Sequence, residues 1–239
     1  MIHVVYCIDK YLQDKIWPSY NSCLYTKEKV QAHIFCLDGV DDTAIDKYKA
    51  VGMNVYLMKT DLQIKLNDNF VKSPAMYLRF YIPEVLKDID KVIYMECDSV
   101  YDGDIKDHWN SELGNNLIAT VPDWFSYNCG KLMRWSGHID DFHDYKAYLT
   151  GNMLINCEAW RKESITEKLV NIVSENNIRV NLSMSIVCQG RVKELSDRFC
   201  YPANYKYGNE NVLIYHWSGK NKPWAVKCKN QNIWEKYAV

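Results

Sequence analysis

Val92-Ile-Tyr-Met-Glu-Cys-Asp98 is an apolar run that ends in two carboxylates. Its β-branched and aromatic residues predict a buried strand over Lys91–Met95. A strand that runs straight into carboxylates puts them at its C-terminal end, where open α/β sheets bind their ligands. Further strands are predicted upstream at Ile2–Ile8, Ala32–Leu37 and Met53–Leu57. Helical patterns fall between them, over Ser19–Tyr25 and over Asp42–Val51 with an acidic cap. Ser73-Pro74 reads as a helix start, with Ser as N-cap and Pro at the first helical position. That helix is expected to run through Met76, Arg79 and Phe80 and to end at Pro83. Alternation of this kind implies right-handed βαβ units and a largely parallel sheet.

The second half is less regular. Asn116–Val121 reads as a strand closed by Pro122-Asp123. The stretch Trp124–Tyr145 is rich in aromatics, Gly and His but weak in periodicity. It reads either as a mobile loop over a site or as a long ordered surface excursion. Met153–Ile155 reads as a strand and Glu158–Val173 as one helix, ending near Asn176-Asn177. Val212–Tyr215 is the last predicted strand, and it delivers His216. No repeat, low-complexity tract or Pro/Gly/Ser linker divides residues 1–239, so a single α/β domain is expected.

Bulk properties narrow the function classes. Apolar residues make up 48% and charged residues 25%, the balance of a folded globular chain. A net charge of -1 supplies no field for nucleic acid or an anionic membrane. The nine cysteines are scattered and never form C-x-x-C, which argues against a zinc ribbon or a secreted disulfide framework. No signal peptide or membrane-spanning run is read, so a cytoplasmic protein is expected. The 18 Tyr and 8 Trp are core material first, but such rings also stack on sugars and bases.

Two segments carry chemistry. Glu96 and Asp98 offer hard oxygen ligands for Mg²⁺ or Mn²⁺. Taken alone, such a pair reads more often as a solvated loop after a strand. His216-Trp-Ser-Gly219-Lys-Asn-Lys222-Pro-Trp224 combines an imidazole, a flexible glycine, two ammonium groups and a rigid Pro-Trp stop. A mixed carboxylate and imidazole set tilts the metal towards Mn²⁺. Lys222 suits a phosphate as a point charge, and Gly219 lets backbone approach a ligand. The plain alternatives are a packed histidine and a solvated basic turn.

Together these segments resemble glycosyltransferase family 8, which includes glycogenin and the bacterial lipopolysaccharide galactosyl- and glucosyltransferases. Tyr94-Met-Glu-Cys-Asp98-Ser-Val is similar to the family's Y-L-D-x-D-x-[LV] metal motif. Gly103-Asp104-Ile105, Trp109 and Ile118-Ala-Thr-Val-Pro-Asp123 follow in the family's order. Gly151-Asn-Met-Leu-Ile-Asn156 with Trp160-Arg161 resembles G-V-x-L-I-N…W-R, and His216 to Trp224 matches H-x-x-G-x-x-K-P-W at every fixed position. The resemblance covers nearly the whole chain.

The resemblance implies a GT-A fold: one Rossmann-like domain with a mixed, mostly parallel central sheet flanked by helices. It implies a nucleotide-binding part over about residues 1–123 and an acceptor and closing part over about 124–239. It also implies a UDP-sugar donor, Mn²⁺ with Mg²⁺ as the alternative, and transfer to a hydroxyl acceptor with retention of anomeric configuration. Glu96, Asp98 and His216 would ligate the metal. Lys222 and Gly219 would meet the diphosphate, Arg79 would stand near donor sugar and diphosphate, and Asp9 and Tyr11 would hold the uridine. Asn181 and Asp123 fall at the reacting end. Ordinary turn chemistry is the alternative for Asp9 and Asp123, and a helix-surface ion pair for Arg79.

The chain departs from the family pattern at three places. Glu96 replaces an Asp, keeping the charge and adding a methylene. Leu149-Thr-Gly151 stands for N-[SA]-G. Val180-Asn-Leu182 stands for D-Q-D, so Asn181 supplies a shorter amide where the family has Gln. The nucleotide and metal half is therefore expected intact and the sugar half altered. A specificity-diverged or non-catalytic sugar-nucleotide-binding protein is the alternative.

Overall fold

The computed structural model describes residues 1–59, 73–206, 208, 211–225 and 227–238. Among these, one sheet is built from β1 (Ile2–Ile8), β2 (Val30–Leu37), β3 (Asn54–Met58), β4 (Lys91–Met95), β6 (Ile118–Thr120), β7 (Asn152–Asn156) and β8 (Val192–Glu194). The strand order is β3-β2-β1-β4-β7-β6-β8. Neighbours pair in parallel except β7, which runs antiparallel to β4 and β6. The fold is the GT-A arrangement, a mixed and mostly parallel sheet flanked by helices.

Residue alternation along these strands explains the two cores. Ile2, Val4, Tyr6, Ile8, Ile93 and Met95 fill one face of the sheet. Val5, Cys7, Val92 and Tyr94 fill the other, with Trp160 and Leu169. Both faces of the central strands β1, β2 and β4 are covered, so these read as continuous apolar runs.

A second, three-stranded sheet has the order β5 (Ser99–Tyr101), β10 (Ile214–His216), β9 (Tyr201–Pro202). It carries its own aromatic core of Tyr201, Tyr215, Trp217, Trp234 and Tyr237. β4 and β5 are separated by Glu96-Cys-Asp98, so the acidic pair forms the corner where the chain leaves one sheet for the other.

Several expectations need correction. Ser73 caps as expected, accepting from the Ala75 amide at 3.0 Å, but Pro74–Tyr81 winds as a 3₁₀ helix. Pro83 then sits in the first turn of a helix over Ile82–Val85 rather than ending one. A first-turn proline loses no helical hydrogen bond, so it begins a helix as readily as it stops one. The predicted helix Glu158–Val173 is two, Cys157–Lys162 and Ile165–Asn176, broken at Ser164, whose φ of 52° is left-handed. The break brings both Trp160 and Ile165 into the core.

The stretch Trp124–Tyr145 contains a helix, Cys129–Ser136, capped by Asn128. Cys129, Leu132, Met133 and Ser136 are buried among its described side chains, a helical period hidden in sequence by its short length and mixed polarity. A helix over Val180–Val187 and the short strands β5, β8 and β9 were also missed. The last strand begins and ends later than expected and includes His216 itself.

Candidate active site

Main-chain bonds shape the corner at Glu96 and Asp98. The Glu96 amide donates to Gly151 O at 2.9 Å, and the Ser99 amide donates to Glu96 O at 3.1 Å. β5 then pairs antiparallel with β10, placing His216 opposite Ser99. The Trp217 amide donates to Asp98 O at 2.9 Å. Two segments more than a hundred residues apart are thus locked in register by strand pairing.

The result is a tight cluster. One ligand atom from each of Glu96, Asp98 and His216 lies within 4.8 Å of the others. His216 Nε2 stands 3.2 Å from Glu96 Oε2 and 3.4 Å from Asp98 Oδ1. That nitrogen is buried, yet it has no hydrogen bond of acceptable geometry. A buried nitrogen within ion-pair distance of two carboxylates, but without a well-directed hydrogen bond to either, fits a ligand set for a cation. Two carboxylates and an imidazole suit a divalent ion of the Mn²⁺ type. The other ring nitrogen, Nδ1, lies 3.3 Å from Cys200 Sγ, which also accepts from Asn152 Nδ2 at 3.5 Å.

Backbone clearance is part of the site. A Cβ on Gly151 would lie 2.6 Å from Glu96 Oε2 and 2.8 Å from His216 Cε1. Only glycine leaves both side chains in place. Gly219 has a φ of 85°, the left-handed region that glycine adopts without strain.

Charge is balanced by two cations. Lys222 ion-pairs with Asp98 Oδ2 and donates to Trp217 O at 3.0 Å. Arg79 is only 1% exposed, so it is no helix-surface residue. Its guanidinium donates to Glu96 Oε1 at 2.7 Å, to Met76 O at 2.7 Å and to Thr150 O at 2.6 Å. It also lies over the Tyr94 ring, 4.3 Å from the centroid. Burial by itself would raise the Glu96 carboxyl, but Arg79 and His216 outweigh it and hold it down at about 2. Burial likewise opposes ionisation of Asp98, and Lys222 and His216 hold it well below the usual carboxylate range. Burial opposes charge on His216, yet Asp98 and Cys200 raise the imidazole well above its ordinary value.

The remaining expected residues fall at varying distances from this centre. Asn181 lies at the start of the Val180–Val187 helix and accepts from Thr150 Oγ1 at 2.8 Å. Thr150 in turn holds Arg79, so the Asn181 amide is joined to the acidic corner through two residues. Val180 and Leu182 are fully buried and apolar. Tyr11 is 56% exposed and accepts from Trp224 Nε1 at 3.4 Å, which links the first loop to the C-terminal segment. Asp9 Oδ1 accepts from the Leu12 amide at 2.9 Å, as a turn residue does. Asp123 Oδ1 accepts from the Phe125 and Ser126 amides at 2.8 and 3.0 Å, so that oxygen caps a turn.

Sequence reasoning missed Thr150 as the connecting hydroxyl and Cys200 as the partner of His216. Cys200 has no local signal. It meets His216 only because β9 pairs with β10.

The chain is similar to several known proteins. A general stress protein of Bacillus subtilis is 27% identical over 180 residues, covering 65% of this chain and 61% of its own. The glycosyltransferase GlyE of Streptococcus pneumoniae is 23% identical over 183 residues, covering 68% of this chain and 41% of its own. This chain therefore spans about half the length of those relatives. The crystal structure of the galactosyltransferase LgtC, solved with donor and acceptor sugar analogues, superposes with a TM-score of 0.80 at 18% identity, over 99% of this chain and 95% of its own. The family model for glycosyl transferase family 8 matches residues 3–228, and the chain belongs to that family.

Proposed function

We propose that the protein transfers a hexose-type sugar from a UDP-sugar to a hydroxyl acceptor, with retention of configuration and dependence on Mn²⁺. The observation that carries this reading is the convergence of Glu96, Asp98 and His216 beside Lys222. In this reading Glu96, Asp98 and His216 hold the ion, with Mg²⁺ as the weaker alternative. The ion, when bound, neutralises negative charge that builds on the departing diphosphate.

The chain's own groups supply the rest. Lys222 exchanges Asp98 for a phosphoryl oxygen and stabilises the leaving group. Gly219 gives the diphosphate access to backbone. Asp9 and Tyr11 take the uridine, with Trp224 bracing Tyr11. Arg79, whose nitrogens are spent inside the protein, acts by orienting Glu96 and Thr150. Asn181 faces the reacting carbon with its amide, and Asp123 meets a hydroxyl with the oxygen left free by the turn. The acceptor hydroxyl gives its proton to the departing phosphate, so no dedicated base is needed. The acceptor is a glycan, a protein or another hydroxyl compound. Residues 1–239 act as one domain, with about 1–123 binding the nucleotide and about 124–239 closing the site.

A second reading has its own support. Val180 and Leu182 are buried apolar residues where the family pattern has acids, and Leu149 replaces an amide. A site that bonds hydroxyls discriminates strongly, so losing such groups redirects specificity. The protein would then bind a nucleotide sugar of another kind or bind without transfer.

A thermal-shift panel of nucleotide sugars with and without Mn²⁺, followed by hydrolysis and transfer assays on the hits, separates these readings. The expected result is a stabilisation by UDP that requires Mn²⁺ and is mostly lost in His216→Ala. An unchanged response in that variant would overturn the metal assignment, and a preference for GDP- or CMP-sugars would overturn the donor class. Binding without transfer or hydrolysis would favour the second reading.

A further inference from the structure

A second cluster of metal-ligand type lies outside this centre, in the loop that follows the Cys129–Ser136 helix. His138, Asp140 and His143 each direct one ligand atom to a common space, all within 4.8 Å of one another. His138 Nε2 is 3.0 Å from Asp140 Oδ1, and the two imidazole rings stand edge to face with centroids 5.4 Å apart.

The loop is pinned in a way that holds these side chains outward. Ile139 and Phe142 alternate with them and pack against the main core. At one end, Gly137 adopts a φ of 94°, and a Cβ there would lie 3.0 Å from Asn177 O. The Arg179 amide donates to Ser136 O at 2.7 Å. At the other end, the Cys129 amide donates to Tyr145 O at 2.7 Å and the Gly130 amide to His143 O at 3.0 Å. A Cβ on Gly130 would lie 2.8 Å from His143 Nδ1, so the ring seats against a bare glycine. The three ligands are thus carried by a loop tied at both ends, and none is needed for core packing, since all three are exposed.

We propose that His138, Asp140 and His143 form a second metal site, which takes a borderline divalent ion such as Zn²⁺ in preference to Mn²⁺ or Mg²⁺ and is independent of the nucleotide centre. Two imidazoles and one carboxylate are borderline donors that favour Zn²⁺ over Mn²⁺ or Mg²⁺. Three protein ligands leave a coordination position for water. Bound there, the ion ties His138 to His143 and closes the loop that continues into Lys146–Tyr148, whose bridges reach Asn128 and Pro122 beside Asp123.

The test uses the full chain and ZnCl₂ in equilibrium dialysis, with zinc counted per chain. Wild type is compared with His138→Ala/His143→Ala and, separately, with His216→Ala. Zinc that enters the Glu96–Asp98–His216 cluster is common to wild type and the loop variant, so their difference reports the loop. The expected result is one more zinc ion retained by wild type than by the loop variant, while the Mn²⁺-dependent UDP shift is the same in both. His143→Ala alone should weaken that zinc by roughly tenfold or more. Equal zinc retention by wild type and loop variant overturns the proposal. So does zinc uptake that disappears entirely in His216→Ala. The exposed loop positions make misfolding an unsuitable explanation, and the melting temperature of each variant without metal checks this directly.

Discussion

At the scale of single residues, the acidic corner depends on Glu96 satisfying a buried cation. Arg79 is almost wholly enclosed, and Glu96 is its one carboxylate partner among the described residues. Glu96→Ala should therefore cost about 3–5 kcal/mol in urea unfolding, because a buried guanidinium loses its counter-charge. Glu96→Gln keeps an oxygen acceptor and should cost less. A different residue contributes to the acid limit of stability. Burial pushes His108 down to about 3, so it is neutral in the fold and takes up a proton when the chain unfolds below its ordinary value of 6.5. Its contribution is complete above pH 6.5 and is lost as pH falls towards 3, at a limiting slope of about 1.4 kcal/mol per pH unit. Burial and His3 push His33 down to about 4, which adds to the same window. His108→Gln should flatten the acid limb of a stability profile, and an unchanged slope would refute this. Glu96, Asp98 and His216 were legible at this scale because each stands in a local motif. Thr150 and Cys200 were not, because their partners are distant in sequence.

At the scale of elements, strand β7 does more than complete the sheet. Its lead-in residue Gly151 faces Glu96 and His216 with no side chain. Gly151→Ala should leave the fold intact and weaken Mn²⁺ binding by roughly 10- to 100-fold, the range seen when groups supporting a ligand are disturbed. A Mn²⁺ titration followed by UDP stabilisation measures it, and full affinity in the variant would show that the ligands can shift aside. Strands of the first half were legible because a sheet buried on both faces writes long apolar runs into the sequence. Short helices were less so. Cys129–Ser136 offers two turns of pattern, too few to stand out from its aromatic and polar flanks. Pro83 misled for a physical reason: its ring excludes a helix interior but suits a first turn.

At the scale of the whole molecule, the small sheet and its aromatic core carry the His216–Trp224 segment. Trp234, near the C-terminal end, packs edge to face on Trp217 at 5.7 Å and tilted on Trp224 at 5.5 Å. Both partners flank Gly219 and Lys222. Trp234→Ala should cost about 3–5 kcal/mol and should also weaken UDP binding, although Trp234 is not among the residues proposed to hold the ion or the nucleotide. Calorimetric titration of UDP with Mn²⁺ checks the second part, and unchanged affinity would separate that core from the site. The sequence by itself determined the mostly parallel character of the sheet, the carboxylates at the end of β4 and the nature of the His216–Trp224 segment, because each is written in contiguous residues. Only the tertiary structure decided that Glu96, Asp98 and His216 meet, that Arg79 is sealed beneath them and that Cys200 backs the imidazole. Those facts come from β5 pairing with β10 and β9 with β10, and strand pairing between remote segments leaves no local periodicity to read.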